Sequence, residues 1–356
     1  MIKFAIIALS VIAVVTAIIS ITLGRNVFLN SSKIVYSLFL GLYLICVIVY
    51  AIGDKLPFSI TRNFYKVTYV YFSIIFYLGF FFLLSKIILI FINVKYIYHF
   101  SLVITILLII FGNIMRHKTT ITEYNINTKK KLPKEDLKIA LISDTHFGYI
   151  IDHDDMNSLV KQLNELKVDI VLYPGDFADR EVQPLLKMDL FSGMKEIRTE
   201  YGVFLSLGNH DLFDNKTDVM VEKLAINDVK VLRDEKFLIE NMLIIGKDWG
   251  SKMDLSKIVS DDDKNKYSMY IYHEPKEENI NEAVKNNIDL MVSGHTHGGQ
   301  MFPINFVTKL IFPVHYGYRR FGHTDVIVTS GVGIWGPPLR IGSKSEIVII
   351  NLKHIE

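Results

Sequence analysis

The stretch GHTHGGQ, residues 294–300, sets two histidines one residue apart among three glycines and a glutamine. Imidazole is the commonest metal ligand among side chains, and glycine lets a backbone turn sharply or approach a partner closely. Four other stretches close on the same kinds of donor. LKIALISDTHFG ends in Asp144 and His146, VDIVLYPGDFAD in Asp176, YGVFLSLGNHD in Asn209, His210 and Asp211, and YSMYIYHEP in His273. Asp, Asn and His supply hard and borderline donors suited to Mn, Fe or Zn, with no thiolate among them. Each motif alone has a mundane reading: Asp176 as a turn residue after Pro-Gly, Asn209 as a helix cap, His273 as a half-buried histidine. Their repetition at the same place, after an apolar run, argues for one shared cleft.

The elements that must position these donors follow from the apolar runs. Residues 137–143 read as a buried strand, and 154–167 show helical spacing with Asp154 or Asp155 suited to cap the helix. Strands alternating with helices imply an α/β layer architecture. Sites in such folds gather at the carboxyl ends of the strands, which is where all five runs deliver their donors.

The series D-T-H, G-D-F-A-D, G-N-H-D, H-E-P and G-H-T-H resembles, in order, the five blocks of the calcineurin-like metallophosphoesterase family, over about residues 118–356. The ending GHTHGGQ with YGYRR and SGVGIWGPPLRIGSKSEI is similar to that family's membrane-anchored bacterial branch. The resemblance implies a four-layer αββα sandwich with two divalent metal ions at the strand ends. On its pattern Asp144, His146, Asp176 and His297 hold one ion, while Asp176, Asn209, His273 and His295 hold the other, so that Asp176 bridges. Extended residues two apart have Cα atoms roughly 6.6 Å apart, and paired catalytic ions sit about 3.5–4 Å apart, so His295 and His297 can serve neighbouring ions. The resemblance also sets His210 at the leaving oxygen as general acid or charge stabiliser, with Asp211 orienting its ring. The implied reaction is cleavage of a phosphoester, phosphodiester or pyrophosphate bond, with a lipid-linked substrate among the possibilities. Two other readings stay open: a protein phosphatase, since GDFADR is similar to G-D-x-x-D-R-G with Glu181 in place of the last glycine, and a non-catalytic receptor or scaffold.

Arg319, Arg320 and Arg340 are by type candidates to grip phosphate or a polar headgroup, or else ordinary salt-bridging residues. His153, His315 and His323 have no assignable role. The segment FPINFVTKLIFPVHYGY (302–318) has an apolar run too short to span a membrane. Internal packing is expected of it; a loop dipping into the bilayer beside the site is the alternative. GVGIWG (331–336) fits a dinucleotide fingerprint, but Pro337 and Pro338 follow and too little chain remains for a βαβ unit.

The first third of the chain obeys a different solvent. Before residue 114 the only acidic residue is Asp54, against eight Lys or Arg, whereas residues 137–356 hold 33 acidic and 25 basic residues. The acidic part argues against nucleic acid as a partner. Four apolar stretches, roughly 4–23, 34–53, 67–93 and 99–115, predict four membrane-spanning helices in contact with lipid. The first is too long for a typical signal-peptide core and no obvious cleavage site follows it. Lys86 lies towards one end of the third, where its amine can snorkel. With four spans, one side carries Lys3, Lys55, Arg62, Lys66, Arg116, Lys118, Lys129, Lys130, Lys131 and Lys134, and the other only Arg25, Lys33 and Lys95. The positive-inside rule then places the catalytic domain (137–356) in the cytosol at the cell membrane. Residues 116–136 form a basic connector whose TITEYNI alternates as a first strand does; its lysine run 129–131 reads as a solvated loop or a contact with anionic lipid. The one cysteine, Cys46, permits no intrachain disulfide and reads as a small apolar residue.

Overall fold

The computed structural model describes residues 2–28, 32–52 and 56–356. Gly53, at the end of the second expected span, and Lys55, one of the charges in the orientation count, lie outside them. The chain divides into two compact units, Met1–Ile114 with Gly336–Leu339, and Met115–Trp335 with Arg340–Glu356.

The first unit is helical: α1 (Ile2–Asn26), α2 (Ser32–Ile52), α3 (Phe58–Phe91) and α4 (Ile97–Arg116). Each apolar stretch of the sequence has become one helix. Among the described residues, α3 and α4 are long and apolar enough to cross a membrane. α3 starts well before residue 67, directly after Pro57, and ends where Ile92 turns extended. Ile19, Leu23, Phe39, Cys46, Tyr71, Leu78 and Phe82 form this unit's buried cluster, so Cys46 packs as a small hydrophobe. Lys86 is exposed on α3.

The second unit holds twelve strands in two six-stranded sheets. The first sheet contains β1 (Thr119–Thr128), β2 (Asp136–Leu141), β3 (Ile170–Tyr173), β4 (Gly202–Leu205), β5 (Val229–Val231) and β12 (Ser345–His354), in the order β1-β12-β2-β3-β4-β5. The second contains β6 (Glu235–Ile239), β7 (Met242–Gly246), β8 (Tyr267–Ile271), β9 (Leu290–Ser293), β10 (Gly317–Phe321) and β11 (Thr324–Val328), in the order β10-β11-β9-β8-β7-β6. Both sheets are mixed: β2 to β5 run parallel and so do β7, β8, β9 and β11, while β12 is antiparallel to β2 and hairpins close the second sheet at each edge.

The period-2 alternation of a strand divides the side chains between two cores. Ile139 and Leu141 of β2 meet Met269, Ile271 and Val292 of the facing sheet. Ala140 and Ile142 point the other way, into a cluster with Met156, Leu159, Val160 and Leu163 of α5 (His153–Leu166). Those four recur at helical spacing, the inward stripe of a helix whose other face is wet. α6 (Val182–Lys187) and α7 (Thr217–Ile226) cover the same outer face, and α8 (Glu277–Lys285) buries Ile280 and Ala283 on the outside of the second sheet. The layers therefore run helix, sheet, sheet, helix.

Three details depart from expectation. α5 is capped by Asp152, whose carboxylate accepts from Asp154 N while Asp155 reaches back to the Asp152 N–H. The lysine run is not simply solvated, since Lys130 pairs with Asp289 at 2.7 Å. The segment expected to pack internally forms α9 (Ile304–Ile311), and none of its residues is buried.

Candidate metal centre

Each donor sits just past the carboxyl end of a strand: Asp144 and His146 after β2, Asp176 after β3, Asn209 and His210 after β4, His273 after β8, His295 and His297 after β9. Five of them occupy left-handed backbone: Asp144 (φ 54°), His146 (49°), Asp176 (55°), His295 (70°) and His297 (50°). That region costs a non-glycine residue about 1–2 kcal/mol, and non-glycine residues held there cluster at functional sites. The turns close tightly enough that glycine is required beside them. A Cβ on Gly208 would overlap the Asp176 carboxylate, and one on Gly294 would overlap Asp144 and Ser143.

The donors gather in two clusters that share an edge. In one, His146 Nε2 and His297 Nε2 are 3.0 Å apart, and Asp144 Oδ1 is 3.5 Å from His297 Nε2 and 4.0 Å from His146 Nε2. In the other, His273 Nε2, His295 Nδ1 and Asn209 Oδ1 lie 3.0–3.1 Å from one another. Asp176 Oδ2 stands between them, 3.1 Å from His273 Nε2 and 3.6 Å from His146 Nε2. Two donors on one ion, with bonds of about 2.1 Å at angles of 90–110°, are about 3.0–3.4 Å apart. The spacings fit.

The protons make the case stronger than the distances do. His273 Nδ1 donates to the Pro174 carbonyl at 2.6 Å, and His295 Nε2 faces Glu274 Oε1 at 3.4 Å. In neutral rings the Pro174 bond fixes the His273 N–H on the far side, and Glu274 favours the same for His295, turning a lone pair of each inward nitrogen to the others. With Asn209 Oδ1 and Asp176 Oδ2, four acceptors then converge with no proton among them. Acceptors so arranged call for a shared proton or a metal cation.

Titration expresses the same demand. Burial pushes His146 and His297 well below the ordinary imidazole range, and lowers His295 to about 4 with the help of His273. Burial raises the Asp144 carboxyl to about 6. Asp176 goes the other way: burial opposes its charge, but His273 and His146 beside it hold it below the usual carboxylate range. His273, though burial disfavours its charge, is raised to about 10 by Asp176 and Asp144. The pocket thus favours a proton on His273 beside its carboxylates, a place that a divalent ion would take by displacing that proton.

His210 lies on the rim of the first cluster, its ring centroid 4.7 Å from that of His146. Its Nδ1 donates to the Asp179 carbonyl, and the Asp179 carboxylate is 3.9 Å from the same nitrogen. Asp211 does not orient this ring. Its carboxylate accepts the backbone N–H groups of Asp176 (2.8 Å), Ala178 (2.9 Å) and Gly208 (2.9 Å), tying the β3 and β4 turns together. Burial lifts its pKa to about 7, with Asp176 adding to the rise. Asp179 and Glu274 are thus two residues the sequence reading missed, although each stands within a quoted motif, GDFAD and HEP.

Arg340 is fully buried, and its guanidinium donates to the carbonyls of His297, Ser330, Gly331 and Gly333. Every one of those contacts is to the protein's own backbone, so it braces the loops under His297 instead of gripping substrate. Arg319 and Arg320 lie exposed on β10, Arg319 donating to the Pro313 carbonyl (3.3 Å) and Arg320 3.7 Å from Asp325. The structure does not bring either into the donor clusters.

A carboxylate shared between two donor clusters at the strand ends of an αββα sandwich defines a metal-dependent phosphoesterase. Residues 137–299 match the family described as calcineurin-like phosphoesterase. A metallophosphoesterase of Campylobacter jejuni is 30% identical over 267 residues, 73% of this chain and 70% of that one. One from Aquifex aeolicus is 31% identical over 70% of this chain and 98% of its own length. A Danio rerio protein described as a transmembrane protein with metallophosphoesterase domain is 28% identical over 71% of this chain and 62% of its own. The chain belongs to the calcineurin-like phosphoesterase family, whose members are hydrolases that depend on divalent metal ions and act on phosphate esters.

Proposed function

We propose that this chain is a membrane-bound phosphohydrolase that uses two divalent ions to cleave a phosphoester, phosphodiester or pyrophosphate bond, a lipid-linked ester being one candidate substrate. The observation that carries the reading is the position of Asp176 Oδ2, in reach of donors from both clusters. One ion (Mn, Fe or Zn) would rest on Asp144, His146, Asp176 and His297, and the other on Asp176, Asn209, His273 and His295. Such a pair would supply positive charge against phosphate oxygens and would make a water nucleophilic near neutral pH.

The chain's own residues do the rest. The Asp179 carbonyl fixes the His210 ring through Nδ1, so Nε2 of the protonated ring is the atom that gives a proton to the leaving oxygen. Asp211 keeps the β3 and β4 turns at a fixed separation, and with them the donors Asp176 and Asn209. Arg340 does the same for the loop that carries His297.

All four N-terminal helices are taken as membrane spans, with the α/β unit on the cytosolic side where the larger share of Lys and Arg lies. Metal analysis of the purified full chain should find two ions, and chelation should abolish Mn-dependent hydrolysis of bis-p-nitrophenyl phosphate. Hydrolysis that survives complete removal of metal rejects the reading.

A further inference from the structure

One helix of the α/β unit is turned the wrong way for water. In α9 the apolar Phe306, Val307, Leu310 and Ile311 are all more than half exposed, Leu310 to 88%. Its uncharged polar positions face the domain instead: Thr308 Oγ1 is 3.4 Å from His315 Nδ1, and Asn305 lies directly over Gly299. A helix facing water has the opposite distribution, as α5 shows. Between residues 302 and 323 there is no acidic residue, while Lys309, Arg319 and Arg320 are all exposed. Trp335, 55% exposed, is joined to the same loop by two hydrogen bonds between its backbone and the Gln300 side chain. An outward apolar face, cationic flanks and a tryptophan are what an interfacial helix presents to a bilayer with anionic headgroups.

The place of α9 in the unit supports the same occupant. β1 begins at Thr119, three positions after Arg116 closes α4, a helix long and apolar enough to cross a membrane. Thr119 pairs with Ser345, and a few residues along β12 Val348 pairs with Leu141, the last residue of β2 before the Asp144 turn. The chain therefore enters this sheet at the end that carries the donors. Tyr318, on the strand after α9, lies 5.9 Å from Tyr124 of β1, and Phe312, at the end of α9, lies 5.8 Å from the His295 ring. Tether, outward helix and donor clusters share one end of the unit.

We propose that α9 lies in the bilayer surface as an interfacial helix and that the adjoining metal centre acts on phosphoesters of membrane-resident amphiphiles. The second clause rests on the phosphohydrolase reading; the first stands without it.

Two measurements on the full chain in nanodiscs of phosphatidylcholine and phosphatidylglycerol separate them. In a Cys46→Ser background, an environment-sensitive fluorophore on Leu310→Cys should be blue-shifted and quenched by spin-labelled lipid. The same label on Ile226→Cys, exposed at the end of α7, should not. Absence of quenching at 310 overturns the bilayer as occupant and points to a protein partner. The second measurement compares Phe306→Glu/Leu310→Glu with the wild type on two p-nitrophenyl phosphodiesters, one soluble and one on a dioleoylglycerol anchor in the disc. The variant should lose about tenfold or more on the anchored ester and stay within about twofold on the soluble one. Equal loss on both, or on neither, overturns the selectivity for membrane amphiphiles. Failure of the wild type to hydrolyse either ester sinks the phosphohydrolase reading, and the quenching result still decides the fate of the helix.

Discussion

The two donor clusters each set two histidines beside one further oxygen donor, Asp144 in one and Asn209 in the other, but are held differently. His273 and His295 each have their outward nitrogen engaged, by the Pro174 carbonyl and by Glu274. Among the described residues, His146 and His297 have no hydrogen-bond partner at Nδ1, although both rings are buried; His146 Nδ1 has only the Asp179 carboxylate at 3.7 Å. Such outer contacts fix a ring's tautomer and raise its basicity as a ligand. The second cluster is pre-set to receive an ion. The first depends on backbone bracing, the Arg340 guanidinium on the His297 carbonyl being its clearest support.

Asp176→Asn should break the comparison altogether, because it weakens the one carboxylate common to both clusters. Metal analysis should find both ions depleted, and turnover should fall about 10³-fold or more, as expected when several kcal/mol of charge stabilisation is lost. His210→Gln should leave both ions in place and cost about 10²–10³-fold in turnover; full activity would remove His210 from proton transfer. Glu274→Gln sharpens the contrast: affinity at the His273/His295 cluster should drop about 10–100-fold, with the other cluster unaffected in a metal titration. Arg340→Met should do the converse. It leaves several buried carbonyls unpaired, lowering stability by about 2–3 kcal/mol and loosening the His297 cluster first. In the wild type, graded chelation should remove the ion at Asp144, His146 and His297 before the other, and simultaneous loss would show that the missing Nδ1 partners do not matter.

The donors were legible because each follows an apolar run in which every residue is needed for packing. A polar residue at the end of such a run has nowhere to go but the sheet's rim. Roles at the rim were harder to read. Asp211 adjoins His210 in sequence, yet the turn sends its carboxylate back to the Asp176 and Gly208 amides, and Asp179 from another loop takes its place beside the ring. Arg340 has the chemistry of a phosphate grip, and only its burial reveals a brace. The apolar run that became α9 was visible, but a sequence does not say which side of such a run meets the domain. The division of strands between two sheets was equally hidden, since β12 slots between β1 and β2 by long-range pairing that no local pattern encodes.

That insertion of β12 governs the order in which the molecule can be made. A ribosome delivers β1 and β2 early, but the strand that must lie between them emerges only after the whole of the second sheet. Until then the two stay parted, and pairings between segments so distant in the chain form slowly. Nascent chains arrested before residue 345 should therefore hold an open half-sheet, vulnerable to proteases and chaperones, that closes only when the last ten-residue strand arrives.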